Sequence, residues 1–141
     1  MTRQITSFWP AIMGFVLITT AFCLPGKAFP TQKWFAKIFL DKWIHAGVFA
    51  VLVALWCLPL IHRRSARGRV RTLFMGITVG SLCYGVAIEV VQSRWIPHRT
   101  FSVADIVADA LGCGIGFLFA TKQLKHHKTH REMPKPSPLY S

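Results

Sequence analysis

Four long apolar stretches, each close to the length of a membrane-crossing helix, constrain this chain more than any other feature of it. They cover roughly residues 8–24, 43–61, 73–91 and 103–120. A helix needs ~20 apolar residues to cross ~30 Å of hydrocarbon, and lipid offers an unpaired backbone group no partner, so each stretch is expected to be helical. Composition agrees where it matters: 52% of the residues are hydrophobic and only 16% charged. The expected fold is an all-α membrane protein, a four-transmembrane-helix bundle. Residues 1–7 form a short cytoplasmic N-terminus, 8–120 the membrane domain and 121–141 a basic, disordered cytoplasmic tail.

The first stretch has a rival reading as a cleaved signal peptide, because Arg3 precedes it and Cys23 closes it. Thr20, Ala21 and Phe22 argue against that, since a cleavage site wants small residues where bulky Phe22 stands. An uncleaved first helix gives four crossings, which the basic residues can orient. With the N-terminus inside, the inner segments hold Arg3, Arg63, Arg64, Arg67, Arg69, Arg71, Lys122, Lys125, Lys128, Arg131 and Lys135, most of the 17 basic residues. The outer ones hold Lys27, Lys33, Lys37, Lys42, Arg94 and Arg99. The positive-inside rule therefore favours both ends in the cytoplasm. Trp9, Trp34, Trp43 and Trp95 fall near the expected span ends, where indole rings favour the interface.

This topology also absorbs the net charge of +12, which would otherwise invite a nucleic-acid partner. No nucleic acid is expected as a partner; membrane lipids are. The tail histidines lack Cys or acidic neighbours at metal-ligand spacing, so no metal or other cofactor is expected. Cys23, Cys57, Cys83 and Cys113 form no C-x-x-C pair and read as small apolar side chains buried in the spans.

Small residues predict how the helices pack. Ala104, Ala108, Gly112, Gly116 and Ala120 recur every fourth residue along the last span and let a neighbouring backbone come close. Ala46, Ala50 and Ala54 do the same in the second, and Gly76 with Gly80, or Ser81 with Gly85, in the third. Packing within the chain is expected ahead of self-association, because four helices already need such contacts.

The acids are the most informative residues. Asp41 opens the second span, Glu89 lies near the end of the third, and Asp105 and Asp109 occupy the first two turns of the fourth. Four crossings bring all of these ends to the same, outer side. His45 follows Asp41 by four residues and Gln92 follows Glu89 by three, so each pair shares a helix face. Ser102 and Asp105 have capping-box spacing. Ionisable groups in a bilayer face the bundle interior or a wet cavity and find partners. Asp41, Lys42, His45, Glu89, Gln92, Arg99, Asp105 and Asp109 are therefore the candidate polar pocket. A purely structural account competes with it, in which Asp105 caps a helix, Glu89 pairs with an arginine and His45 bridges two helices.

Asp41-Lys42-x-x-His45, Glu89-x-x-Gln92, then Arg99 and Asp105 followed by Gly112, resemble the VanZ-like membrane protein family over about residues 10–120. That family is named for a protein associated with resistance to the glycopeptide antibiotic teicoplanin. The resemblance implies a small multi-pass protein of the bacterial cytoplasmic membrane acting at the cell envelope, without a settled activity. The family commonly carries Asn four residues after the Asp of the fourth helix, where this chain has Asp109.

Three functions follow from these residues. The first is an outer pocket for a lipid, a lipid-linked cell-wall intermediate or a glycopeptide-type amphiphile, with Arg99 and Lys42 attracting an anionic headgroup. The second is an intramembrane enzyme with His45 or Glu89 as general base and Asp105 or Asp109 as acid or metal ligand. It ranks behind, because no H-E-x-x-H, G-x-S-x-G or phosphate-binding glycine motif marks a reaction centre. A small transporter comes last, since the polar residues gather at one end.

Overall fold

A computed structural model describes residues 8–24, 40–62, 66–97 and 100–132. Among the described residues the fold has four helices: α1 (Trp9–Phe22), α2 (Leu40–Ile61), α3 (Arg67–Trp95) and α4 (Val103–Glu132). Of these, α2, α3 and α4 are long and apolar enough to cross a membrane, while α1 is a shorter apolar helix. At 14 residues α1 is about 21 Å long.

Local chemistry sets several of the helix ends. Pro10 stands in the first turn of α1, where a missing N–H costs nothing. Ile96, ahead of Pro97, is extended at φ −104° and ψ 118°, because the proline ring bars it from helical geometry, and α3 stops there. Ser102 opens α4, its Oγ accepting the Asp105 N–H at 3.3 Å.

Contacts between the helices give the topology. His45 meets Asp109, and Ala46 and Ala50 meet Gly112 and Gly116, so α2 and α4 run parallel and share an interface. Gly85 of α3 faces Phe49 and Asp109 while Glu89, one turn on, reaches back to Ser102 ahead of α4, so α3 runs antiparallel to both. Phe8 lies on Trp56 while Phe22 lies on His45, so α1 runs against α2. Tyr84 ties α1 to α3: the Thr19 hydroxyl donates to the Phe15 carbonyl, so Tyr84 OH donates to Thr19 Oγ1 at 2.8 Å.

The small-residue stripe packs inside the chain for most of its length. A Cβ at Gly112 would run into the backbone carbonyl of Ala46, and one at Gly116 would stand 2.6 Å from the Ala50 carbonyl oxygen. Ala108 and Ala120 are buried with them, whereas Ala104 is exposed. In α3 it is Ser81 and Gly85 that face inward; Gly76 and Gly80 face open space. Cys57 and Cys113 are buried as expected, but Cys23 and Cys83 are exposed, lying on faces that no other described helix covers.

The solvent pattern is that of a membrane protein. Val79, Leu111, Ile115, Leu118 and Phe119 are exposed, while His45, Ser81, Glu89, Gln92, Asp105 and Asp109 are buried. Lipid reverses the usual penalty on exposed apolar side chains and makes the buried polar ones the informative set.

The last helix outruns its expected end at residue 120 by twelve residues, through Glu132. Leu124 is 2% exposed against the core, the His127 ring lies on His62 with centroids 4.6 Å apart, and no Gly or Pro interrupts the chain before Pro134. Those contacts hold residues 121–132 in a helix where a disordered tail was expected. Residues 133–141 of that expected tail lie outside the described residues.

Candidate functional site

The N-termini of α2 and α4 and the C-termini of α1 and α3 meet at one end of the bundle. Asp41 and Asp105 occupy the first turns of their helices, where exposed N–H groups favour a carboxylate. Arg67, Arg69, Lys122 and Lys125 lie toward the opposite end, exposed. The polar cluster is thus produced by topology.

Lys42 is its tie-point. Its ammonium donates to Asp105 Oδ1, to Asp41 Oδ2 at 2.7 Å and to Ser102 Oγ at 3.4 Å. A lysine has three protons to give, and all three have acceptors here. Its charge is thus already held by two carboxylates within the chain.

One helical turn deeper, His45 Nδ1 and Asp109 Oδ1 are 2.9 Å apart, with the side chains 5% and 1% exposed. A carboxylate only accepts, so the proton belongs on Nδ1, which leaves Nε2 for another partner. Phe22 stacks on the imidazole at 4.9 Å and 23°. Gly85 makes room for the pair, since a Cβ there would stand 2.7 Å from Asp109 Oδ2.

Glu89 is buried in α3 at 2% exposure. Its Oε1 accepts the Ser102 N–H at 2.6 Å. The sequence suggested a capping box in which Asp105 would take that N–H. Instead, Ser102 Oγ makes its half of the box and Glu89 makes the other, freeing the Asp105 carboxylate for Lys42. Glu89 is therefore not paired with an arginine among the described residues. Its Oε2 is buried and has no hydrogen-bond partner among the described residues. Gln92, one turn on, donates from Nε2 to the Phe22 carbonyl at 2.9 Å, closing an open carbonyl at the end of α1.

Seven of the eight candidate residues are thus placed at one end: Asp41 at its exposed rim, Lys42 and Asp105 next, and His45, Glu89, Gln92 and Asp109 inside. Arg99 lies outside the described residues. The shared helix face of Asp41 and His45 does not pair them, because Asp41 turns to Lys42 and His45 to Asp109. Sequence reasoning missed Phe22, whose ring and carbonyl both enter the site, and read Gly85 only as a packing residue. The small residue four before Glu89 was the available signal for Gly85. Among the described residues no three or more His, Cys, Asp or Glu side chains are placed to hold a metal ion.

Deeper in the bundle, Phe15, Leu52, Trp56, Ile77, Gly80, Ser81 and Tyr84 line a hollow of about 200 Å³ between α1, α2 and α3.

No solved structure matches the chain. An uncharacterized protein of Schizosaccharomyces pombe is 34% identical over 94 residues, covering 65% of this chain and 51% of its own length. The chain thus spans about half of that relative. Residues 4–125, which hold all four spans and every candidate residue, match the VanZ/LLP1 family. The chain is a multi-pass membrane protein that belongs to the VanZ/LLP1 family.

Proposed function

We propose that this protein binds the headgroup of a membrane amphiphile at its polar end. The observation that carries the reading is Glu89 Oε2, a buried carboxylate oxygen with no hydrogen-bond partner among the described residues. A buried charge without a partner is costly, and the cost is recovered if a ligand supplies the partner. A separate apolar hollow lined by Phe15, Leu52 and Tyr84 between α1, α2 and α3 offers room for part of an alkyl chain.

The polar end faces outward in this reading, with both chain termini in the cytoplasm. The exposed Arg67, Arg69, Lys122 and Lys125 toward the far end support that orientation. A bacterial cytoplasmic membrane fits the family resemblance. The fission yeast relative favours a ligand that such different membranes share, a lipid, over a bacterial wall intermediate or a glycopeptide.

Native mass spectrometry of the protein released from mild detergent tests the reading. Wild type should retain a lipid adduct that Glu89→Ala sheds and that Leu118→Ala, on the exposed face of α4, keeps. Equal retention by both variants would sink it.

One observation favours an intramembrane enzyme as the second reading. Asp109 holds His45 by Nδ1 and leaves Nε2 without a partner among the described residues, the arrangement a general base requires. Chemical turnover of a bound lipid, abolished in His45→Gln while the adduct survives, would move the assignment from binding to catalysis.

A further inference from the structure

We propose that the group recognised at the polar end is a primary ammonium, with Glu89 Oε2 as its counter-ion. The inference rests on the reading of that end as a lipid-binding site and assigns the chemistry of its ligand.

A count of free donors and acceptors points there. Lys42 has given all three protons to Asp41, Asp105 and Ser102. The Ser102 and Asp105 N–H groups are taken by Glu89 and by the Ser102 hydroxyl. Gln92 has spent one N–H on the Phe22 carbonyl, and the His45 Nδ1–H is donated to Asp109. Among the described residues what remains is three carboxylate oxygens, Glu89 Oε2 and the second oxygens of Asp105 and Asp109, against one Gln92 N–H and the Ser102 hydroxyl proton. A ligand that completes this set must bring protons.

Charge gives the same answer independently. Asp41, Glu89, Asp105 and Asp109 face one ammonium, Lys42, and one imidazole, so the described part of the site is acidic whichever way His45 is protonated. Arg94, in the last turn of α3, is exposed and forms no ion pair with them. Among the described residues a phosphate alone would find only the second Gln92 N–H and the Ser102 hydroxyl proton as donors, and it would meet like charge. An R–NH3+ group supplies both the missing positive charge and the missing protons. A quaternary ammonium supplies charge without protons, which separates the two contributions experimentally.

The full-length protein in nanodiscs of phosphatidylcholine, doped in turn with phosphatidylethanolamine, its N-methyl and N,N-dimethyl derivatives, or phosphatidylglycerol, tests the proposal. Lipid retention is read by native mass spectrometry. Phosphatidylethanolamine should be retained about tenfold over phosphatidylcholine and phosphatidylglycerol, as expected for one charge-assisted hydrogen bond. Retention should fall stepwise as methyl groups replace protons. Glu89→Gln should bind lipid without this preference, and if that variant does not fold, the methylation series on wild type carries the test alone. Water-soluble phosphoethanolamine that displaces the lipid would locate recognition in the headgroup and support the proposal. A preference for phosphatidylglycerol, or a flat methylation series, would overturn the ammonium assignment while leaving a lipid site. Loss of every lipid from wild type would instead overturn the binding reading.

Discussion

Replacing Gly116 with alanine probes the interface that holds the polar end together. A Cβ there would stand 2.6 Å from the Ala50 carbonyl oxygen and 2.9 Å from Val53 Cβ. Ordinary contact begins at 3.4 Å, so α2 and α4 must part by about 0.8 Å or the carbonyl must tilt. Overpacking of this kind costs ~1–3 kcal/mol. Gly114, two residues away on the same helix, is the control, because a Cβ there meets nothing within 4 Å. Gly114→Ala should gain the ordinary ~0.5–1 kcal/mol of replacing a helical glycine, so the two variants should differ by ~1–3 kcal/mol in opposite directions from wild type. Titration with a denaturing detergent, read by maleimide labelling of the buried Cys57 and Cys113 thiols, gives both midpoints in one assay. Coincident midpoints for Gly114→Ala and Gly116→Ala would refute the close α2–α4 packing, and with it the register that places Lys42 on Asp105.

Three further outcomes follow from the site. A double-mutant cycle on His45→Ala and Asp109→Ala should show coupling of ~0.6–1.7 kcal/mol, the range of hydrogen bonds inside membrane proteins; additive effects in detergent unfolding would mean the pair does not form. Gln92→Leu should free the end of α1 while leaving α2–α4 packed, seen as faster hydrogen exchange over residues 15–22 with Cys113 still protected, and unchanged exchange would contradict the Phe22 anchor. Glu89→Gln should leave the unliganded protein as stable as wild type or ~1–3 kcal/mol more stable, because an amide keeps the oxygen that accepts from Ser102 and relieves an unpaired buried charge. A large loss in thermal unfolding would make Glu89 a structural residue.

Much of this molecule was legible in its sequence, for reasons that stop at the side chain. Apolar length marked the spans because the bilayer fixes how long a helix must be. Convergence of Asp41, Glu89, Asp105 and Asp109 followed from alternating helix direction alone. The small stripe at Ala108, Gly112, Gly116 and Ala120 was readable because close backbone approach demands small residues. Partner choice was not readable. Which carboxylate takes Lys42 and which takes His45 depends on the axial register of α2 against α4, fixed where Gly112 meets the Ala46 carbonyl. Spacing within one helix suggested Asp41 with His45, yet a neighbouring helix offered His45 a better-buried acceptor in Asp109. The extension of α4 beyond residue 120 escaped notice because polar Lys122, Lys125 and His126 look like a tail, while Leu124 and His127 hold that turn onto the rest of the bundle.

Photocrosslinking shows directly whether a headgroup is held among these residues, with phosphatidylethanolamine carrying a diazirine on its headgroup and the adducts mapped by peptide mass spectrometry. Adducts should concentrate on Asp41–Ala46, Ile88–Gln92 and Phe101–Asp109, fall in Glu89→Gln and be suppressed by excess unlabelled lipid. Adducts spread evenly along both ends of the bundle, with Arg67–Arg71 and Lys122–Lys125 labelled as strongly as the polar end and no response to Glu89→Gln, would contradict headgroup binding there.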